Sequence, residues 1–360
     1  MAVRMPGVVA LVLVVSLASC GGPDEDARPA RHDSASTPPS TDPTTGPARA
    51  DRAPRSTVTF VGDIMLGRGV AAVNPAADPA APLRPMRALL HRADLTVGNL
   101  ESTLSDDGPA QQGDDSFAAD PRALPAMAGL GFDALSLANN HTGDYGTAAL
   151  VDTAAAFRGS GIWAFGAGRD RHAAARPVVL ERHGVRFGFL GFNTIGETPR
   201  AGPGRPGALS VRMPPRTGPL SHADLRRVLQ AVRRLDRRVD VVVVMPHWGT
   251  QYTHHVEPIQ RRVGRLLVDA GADLVVGGHP HWVQPMERYR GAVIAYSLGN
   301  FVFDMDFMDQ TMEGVALTAT FRGDRLRGVR LTPYRMDSRF APRPVHGAVA
   351  RDILAQAGVH

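Results

Sequence analysis

The chain has 360 residues, 43% hydrophobic and 21% charged, an ordinary globular balance that suffices for one large α/β domain or two modest ones. Its formal charge is +5, with arginine as the only strong base; the arginines are scattered, and short clusters such as Arg233–Arg234 and Arg237–Arg238 fall on a predicted helix as a solvated face. No basic stripe supports a nucleic-acid partner, and a single cysteine excludes an intramolecular disulfide.

Residues 1–20 begin with Arg4, continue through the apolar run Val8–Val15 and close on Leu17-Ala18-Ser19-Cys20. A segment this short after a positive start predicts a secretory signal, not a spanning helix. The small residues before Cys20 resemble the lipobox of bacterial lipoproteins. That resemblance implies a lipidated Cys20, a membrane anchor and an extracytoplasmic location. Residues 21–56 are rich in Pro, Ser, Thr, Asp and Ala and poor in large apolar side chains. They cannot bury enough surface to offset ordering entropy, so they predict a flexible tether.

From Thr57 strand-like and helix-like patterns alternate. The predicted strands are Thr57–Val61, Leu95–Val97, Ala134–Leu137, Val185–Phe192, Val239–Met245, Leu274–Val276 and Val293–Tyr296. The predicted helices are Pro85–His91, Thr147–Phe157, His222–Arg238 and Pro258–Ala270. Ser221 suits an N-cap, Pro258 a first helical position and Gly271 a C-terminal stop. Continuous apolar strands separated by helices predict an α/β domain over residues 57–335, with mostly parallel sheets covered by helices. Residues 336–360 lose the rhythm and read as a peripheral C-terminal tail.

The carboxyl ends of these strands carry the chemistry. In order they present Gly62-Asp63, Asn99-Leu100-Glu101, Asn139-Asn140-His141 followed by Asp144, His247-Trp248, and His279-Pro280-His281. Open α/β sheets bind ligands at such ends, and these side chains are the types that first-row divalent metals accept. Each has a plainer explanation alone: a turn, a loop hydrogen bond, a satisfied core histidine. Five such ends in one domain favour a metal site.

The stretches Val61–Arg68, Asn99–Glu101, Ala138–Gly146, His247–Gly249, Gly278–Gln284 and Tyr296–Asp304 together resemble the CapA family, linked to capsule and poly-γ-glutamate synthesis. The resemblance implies a domain like the calcineurin-like metallophosphoesterases, with its site at strand carboxyl ends. It implies metal ligation by Asp63, Asn140, His247, His279 and His281, and a proton-donating role for His141. Two positions depart. Asp-x-His becomes Asp63-Ile64-Met65, and a thioether is a poor ligand for hard cations. The bridging aspartate after the second strand is missing, so Asn99 or Glu101 must replace it; Glu101 is favoured because a carboxylate can bridge.

Arg68 and Asp144 complete the catalytic candidates, Arg68 as a bidentate clamp on an anionic group or as a plain loop residue. Trp248, Tyr252 and Trp282 read equally as groove lining or core. Asn300 and Asp304 either support the site or close a turn. The expected cofactor is a divalent ion, Mn, Zn or Fe. The expected function is a lipid-anchored, extracytoplasmic role in capsule or poly-γ-glutamate synthesis or export through a metal-dependent hydrolase-like site. Its partners would be the anionic polymer and a capsule synthetase complex. A surface metallophosphoesterase and a non-catalytic polyanion-binding module are the competing expectations.

Overall fold

The run Val241–Val244 sets the layering. Successive side chains of a strand point to opposite faces, and here both faces are apolar. Val241 and Val243 join a core with Phe60, Val97 and Phe321, whereas Val242 and Val244 join another with Leu225, Val232 and Leu267. A strand buried on both sides needs a layer against each.

The structure is a computed structural model that describes residues 53–359. In chain order the strands are β1 (Arg55–Ile64), β2 (Leu95–Leu100), β3 (Ala134–Ser136), β4 (Trp163–Phe165), β5 (Ala167–Gly168), β6 (Val178–Arg182), β7 (Val185–Asn193), β8 (Gly207–Ala208), β9 (Val241–His247), β10 (Leu274–Val276), β11 (Val283–Tyr289), β12 (Ala292–Leu298), β13 (Asn300–Val302), β14 (Glu313–Arg322), β15 (Arg325–Met336) and β16 (Pro342–Pro344). The helices are α1 (Arg68–Val73), α2 (Arg87–Leu90), α3 (Ala123–Gly129), α4 (Gly146–Ala156), α5 (Arg171–Ala174), α6 (His222–Asp236), α7 (Pro258–Asp269) and α8 (Gly347–Gln356). Among the described residues no helix is long and apolar enough to cross a membrane.

Two large sheets form. One has eight strands in the order β16-β15-β14-β1-β2-β3-β4, with β13 also paired to β1; the other has six, β11-β12-β10-β9-β7-β6. The central pairings β1–β2, β2–β3, β7–β9, β9–β10 and β10–β12 are parallel. The margins β14–β15–β16, β6 and β11 are antiparallel. The sheets face each other across Phe60, Val97, Phe187, Phe189, Val243 and Phe321, with Phe187 and Phe321 edge to face at 5.4 Å. Helices cover the outer faces: α3 and α4 lie in the layer over β2 and β3, and α6 and α7 over β7, β9 and β10. This is the expected α/β class, refined in one respect. Each sheet has helices on one face and the other sheet on the opposite one.

Local chemistry fixes the elements. Ser221 accepts the Asp224 N–H and caps α6. Glu257 and Gln260 form a capping box ahead of α7, and Pro258 follows at the first helical position. At the amino ends of the parallel strands one device recurs four times. Asp94, Asp133, Asp240 and Asp273 each precede a strand, and each carboxylate accepts a neighbouring strand's N–H at 2.8 Å, from Thr57, Thr96, Arg186 and Val242 respectively. Each aspartate N–H donates back to the carbonyl of that same residue. These clamps leave the opposite, carboxyl ends free for function.

Three expectations change. The stretch Pro85–His91 is a 3-10 turn over Ala81–Met86 followed by the short α2. The tether was expected through residue 56, yet β1 starts at Arg55; the rest of that segment and the signal residues 1–20 lie outside the described residues. The segment after Arg335 is not merely peripheral: β16 pairs with β15, and Ile353 and Ala357 of the α8 region are buried in the inter-sheet core.

Candidate metal centre

At the carboxyl ends the candidate residues converge. Asp63 ends β1, Glu101 follows β2, Asn140 and His141 follow β3, His247 ends β9, and His279 and His281 follow β10. All seven are buried. Two overlapping groups of ligand-type atoms lie within 4.8 Å of one another: Glu101, His247 and His279, and Asp63, Glu101 and His281. Glu101 belongs to both. His247 Nε2 is 3.4 Å from Glu101 Oε1 and 2.8 Å from Asn140 Oδ1. His281 Nδ1 is 3.9 Å from Asp63 Oδ2.

The alternatives left open in the sequence separate here. Asn99 donates from Nδ2 to Asp63 Oδ1 at 2.8 Å, so it orients that carboxylate, while Glu101 occupies the position shared between the groups. Met65, a poor ligand type for a hard cation, is buried and its sulfur accepts the Gly67 N–H. Asn300 Oδ1 lies 2.8 Å from His281 Nδ1 and fixes that ring. Trp248 is core: it is fully buried, donates to the Tyr296 carbonyl and packs edge to face with Phe192. Tyr252 instead stacks on His281, ring centres 6.0 Å apart, and meets the exposed Phe307. Trp282 lies against His254, with its buried indole nitrogen unpartnered.

The backbone is forced into shape at this point. Arg68, Tyr252, His279 and His281 all have positive φ, a region that non-glycine residues enter at about 1–3 kcal/mol each. Gly278 permits the closest approach. A Cβ there would stand 2.4 Å from Asp63 Oδ1, and the next residue's N–H, that of His279, donates to Asp63 Oδ2 at 3.0 Å. Asn139 takes the loop hydrogen-bonding role and ties two loops. Its amide donates to Asn99 Oδ1 and the Leu100 carbonyl, and its oxygen accepts the His141 and Thr142 N–H groups.

Burial dominates the electrostatics. It pushes the carboxyl of Asp63 up to about 7, reinforced by the nearby Glu101, and pushes Glu101 up to about 7 as well. It pushes His247 down to about 4 and His281 down to about 3, and His279 well below the ordinary imidazole range. The three imidazoles are therefore neutral with lone pairs available. Glu101 Oε1 and both ring nitrogens of His279 are buried without a hydrogen-bond partner. Buried polar atoms rarely go unpaired. Such atoms beside one further carboxylate, Asp63, and two further imidazoles, His247 and His281, fit a divalent cation.

His141 stands at the edge. Its Nε2 is 4.0 Å from Glu101 Oε1 and its Nδ1 is 2.8 Å from Asp144 Oδ2. Arg68 does not present a free fork, because Nε and one terminal nitrogen hold the two oxygens of Asp304 at 3.1 and 2.6 Å. The structure adds two residues that carried no motif signal, Gln112 and Phe117, both bonded to Asp144.

The chain is similar to several known proteins. A capsule biosynthesis protein CapA of Bacillus anthracis is 31% identical over 301 residues, 82% of this chain and 71% of its own length. The PGA biosynthesis protein CapA of Bacillus subtilis (strain 168) is 32% identical over 250 residues, 68% of this chain; the match spans 63% of that relative, less than two thirds of its length. A probable polyglutamine synthesis accessory protein of Mycobacterium tuberculosis (strain CDC 1551 / Oshkosh) is 31% identical over 317 residues, covering 77% and 80% of the two chains. Residues 57–305, from β1 to just beyond β13, match the family described as bacterial capsule synthesis protein PGA_cap, and the chain belongs to that family.

Proposed function

We propose that this protein is a membrane-tethered, extracytoplasmic accessory of capsule or poly-γ-glutamate synthesis whose buried centre binds a divalent cation and supports hydrolase-like chemistry. One observation carries the metal reading: Glu101 Oε1 and both nitrogens of His279 are buried and unpartnered within a cluster of Asp63, His247 and His281. Asp63, Glu101, Asn140, His247, His279 and His281 would hold the ion. A bound divalent cation supplies Lewis acidity, lowering the pKa of a water ligand and stabilising developing negative charge. The chain supplies the rest. Asp144 accepts from His141 Nδ1, which leaves Nε2 facing the centre to hand a proton to a leaving group. The wall of Phe303, Phe117 and Tyr252 around His141 and His281 limits water at that proton. The names of the Bacillus relatives support an anionic polymer as the partner, and the Leu17–Cys20 pattern supports the lipid anchor.

The metal content of purified protein tests the centre. Asp63→Ala and His281→Ala should each reduce bound Mn, Zn or Fe at least severalfold while the fold, followed by circular dichroism, is kept. Unchanged metal in both removes the assignment. Release of p-nitrophenol from bis(p-nitrophenyl) phosphate by the metal-loaded protein tests the chemistry; a metal-replete protein without hydrolysis is instead a binding module. Cys20→Ala should move the protein from the membrane fraction to the soluble one, and retention in the membrane would refute the anchor.

A further inference from the structure

We propose that the loop from Gln112 to Phe117, clamped by Arg68 and Asp304, is a positioning device that fixes the ring of His141, and that Arg68 acts through this stack instead of binding substrate. The inference rests on the reading above only in taking His141 as the proton donor; its geometry is independent of that.

Phe117 holds His141 in two ways. The rings stack with centres 3.8 Å apart and planes inclined by 19°. The Phe117 backbone N–H also donates to Asp144 Oδ2 at 2.7 Å, the same oxygen that lies 2.8 Å from His141 Nδ1. Gln112 donates to the other oxygen, Asp144 Oδ1, at 2.5 Å. With backbone and amide donors on the carboxylate, the third group on it must donate too, so Nδ1 carries the proton and the orientation is set. Nε2 is left for the centre. The loop is closed on itself, since the Gln112 N–H donates to Ser116 Oγ at 3.0 Å.

Arg68 backs this arrangement. Its guanidinium carbon lies 4.4 Å from the centre of the Phe117 ring. Two flat groups stacked this close to one ring centre cannot share a face, so the order is Arg68, Phe117, His141. All three guanidinium nitrogens are engaged: Nε and one terminal nitrogen on Asp304, the other terminal nitrogen on Asp115 Oδ1 and the Asp114 carbonyl at 3.3 and 3.2 Å. Asp304 is pinned in turn by the Gly69 N–H at 2.8 Å. A planar fork fixed at both oxygens of a carboxylate is held rigidly, and its central carbon sits over the Phe117 ring. Four of its five N–H groups are committed, so an arginine so bound has no free bidentate fork for a substrate anion.

The test uses the full-length protein and three variants: Phe117→Leu, Phe117→Tyr and Arg68→Met. Histidine labelled with 15N gives a ring Nδ1–H signal for His141, assigned by its loss in His141→Gln. The signal should be sharp in the wild type and Phe117→Tyr, and broadened or lost in Phe117→Leu and Arg68→Met. With bis(p-nitrophenyl) phosphate, Phe117→Leu and Arg68→Met should lower kcat by about 10²-fold, the loss that misplacing a catalytic group by an ångström produces, with KM and bound metal unchanged. Phe117→Tyr, which keeps a flat ring, should restore most of that rate. An unaltered Nδ1–H signal in both disruptive variants overturns the proposal, as does an Arg68→Met effect confined to KM, which would make Arg68 a substrate contact. Should the wild type release no p-nitrophenol, the hydrolase reading fails by itself, and the ring signal alone decides the positioning role.

Discussion

Gly278 shows how much of the centre depends on one missing atom. Its neighbour His279 bonds Asp63 through the backbone, and a Cβ at position 278 would press to 2.4 Å of the same carboxylate. Gly278→Ala should therefore push Asp63 aside and weaken metal binding by tenfold or more, about 1.4 kcal/mol, while the melting temperature of the metal-free protein moves little; equal metal affinity by calorimetry would contradict this. The titrating groups give a second expectation. Near pH 6 the three imidazoles are already neutral, whereas Asp63 and Glu101, both pushed up to about 7, still carry protons. Cation uptake must expel protons from the carboxylates, so affinity rises with pH up to about 7 and levels above it. Titration calorimetry in buffers of different ionisation enthalpy should count proton release near pH 6 and little near pH 8. Affinity that does not change over that interval would rule out the carboxylates as ligands. These ligand-type residues were legible in the sequence because each sits at the end of a strand, where a polar residue interrupts an apolar run. Gln112 and Phe117 were not, since a loop residue acting by stacking leaves no spacing to read. Arg68 looked like an anion clamp because its true partner, Asp304, is 236 positions away.

The aspartates at the start of β2, β3, β9 and β10 do the corresponding work for the strands. Each pairs reciprocally with one residue on the adjacent strand, so register is locked at the end remote from the centre. Asp133→Ala would leave the Thr96 N–H unpaired and remove the ion pair with Arg182. It should cost about 1–3 kcal/mol in urea unfolding with unchanged metal content; a neutral result would show that water replaces the carboxylate without loss. The central parallel strands were predictable because their runs are apolar on both faces, as Val241–Val244 shows. The β14–β15 hairpin was not assigned, although Val315, Leu317, Ala319 and Phe321 alternate with residues that are less buried along its second half. Its period-2 signal is diluted by small residues, Ala316, Thr318 and Thr320, that suit either face. The strand beyond Arg335 is hidden in the sequence for a related reason: β16 holds two prolines, and prolines demote a strand on sequence alone though an edge position tolerates them.

At the scale of the molecule, stability resides in the seam between the sheets. Phe187 is fully buried there against Phe321. Phe187→Ala should lower unfolding free energy by about 3–5 kcal/mol through lost burial and the cavity left behind, and a loss below 1 kcal/mol, measured by denaturant titration, would place the core elsewhere. The same seam runs through the centre. Asp63, Glu101 and Asn140 come from one sheet, His247, His279 and His281 from the other. A coordinated ion would thus rivet two halves whose facing surfaces are mainly apolar, joined elsewhere by a few polar links such as Arg182 to Asp133. Chelation should then loosen the joint before it melts either half, and amide exchange should quicken along the facing strand tips while the aspartate-clamped ends stay protected.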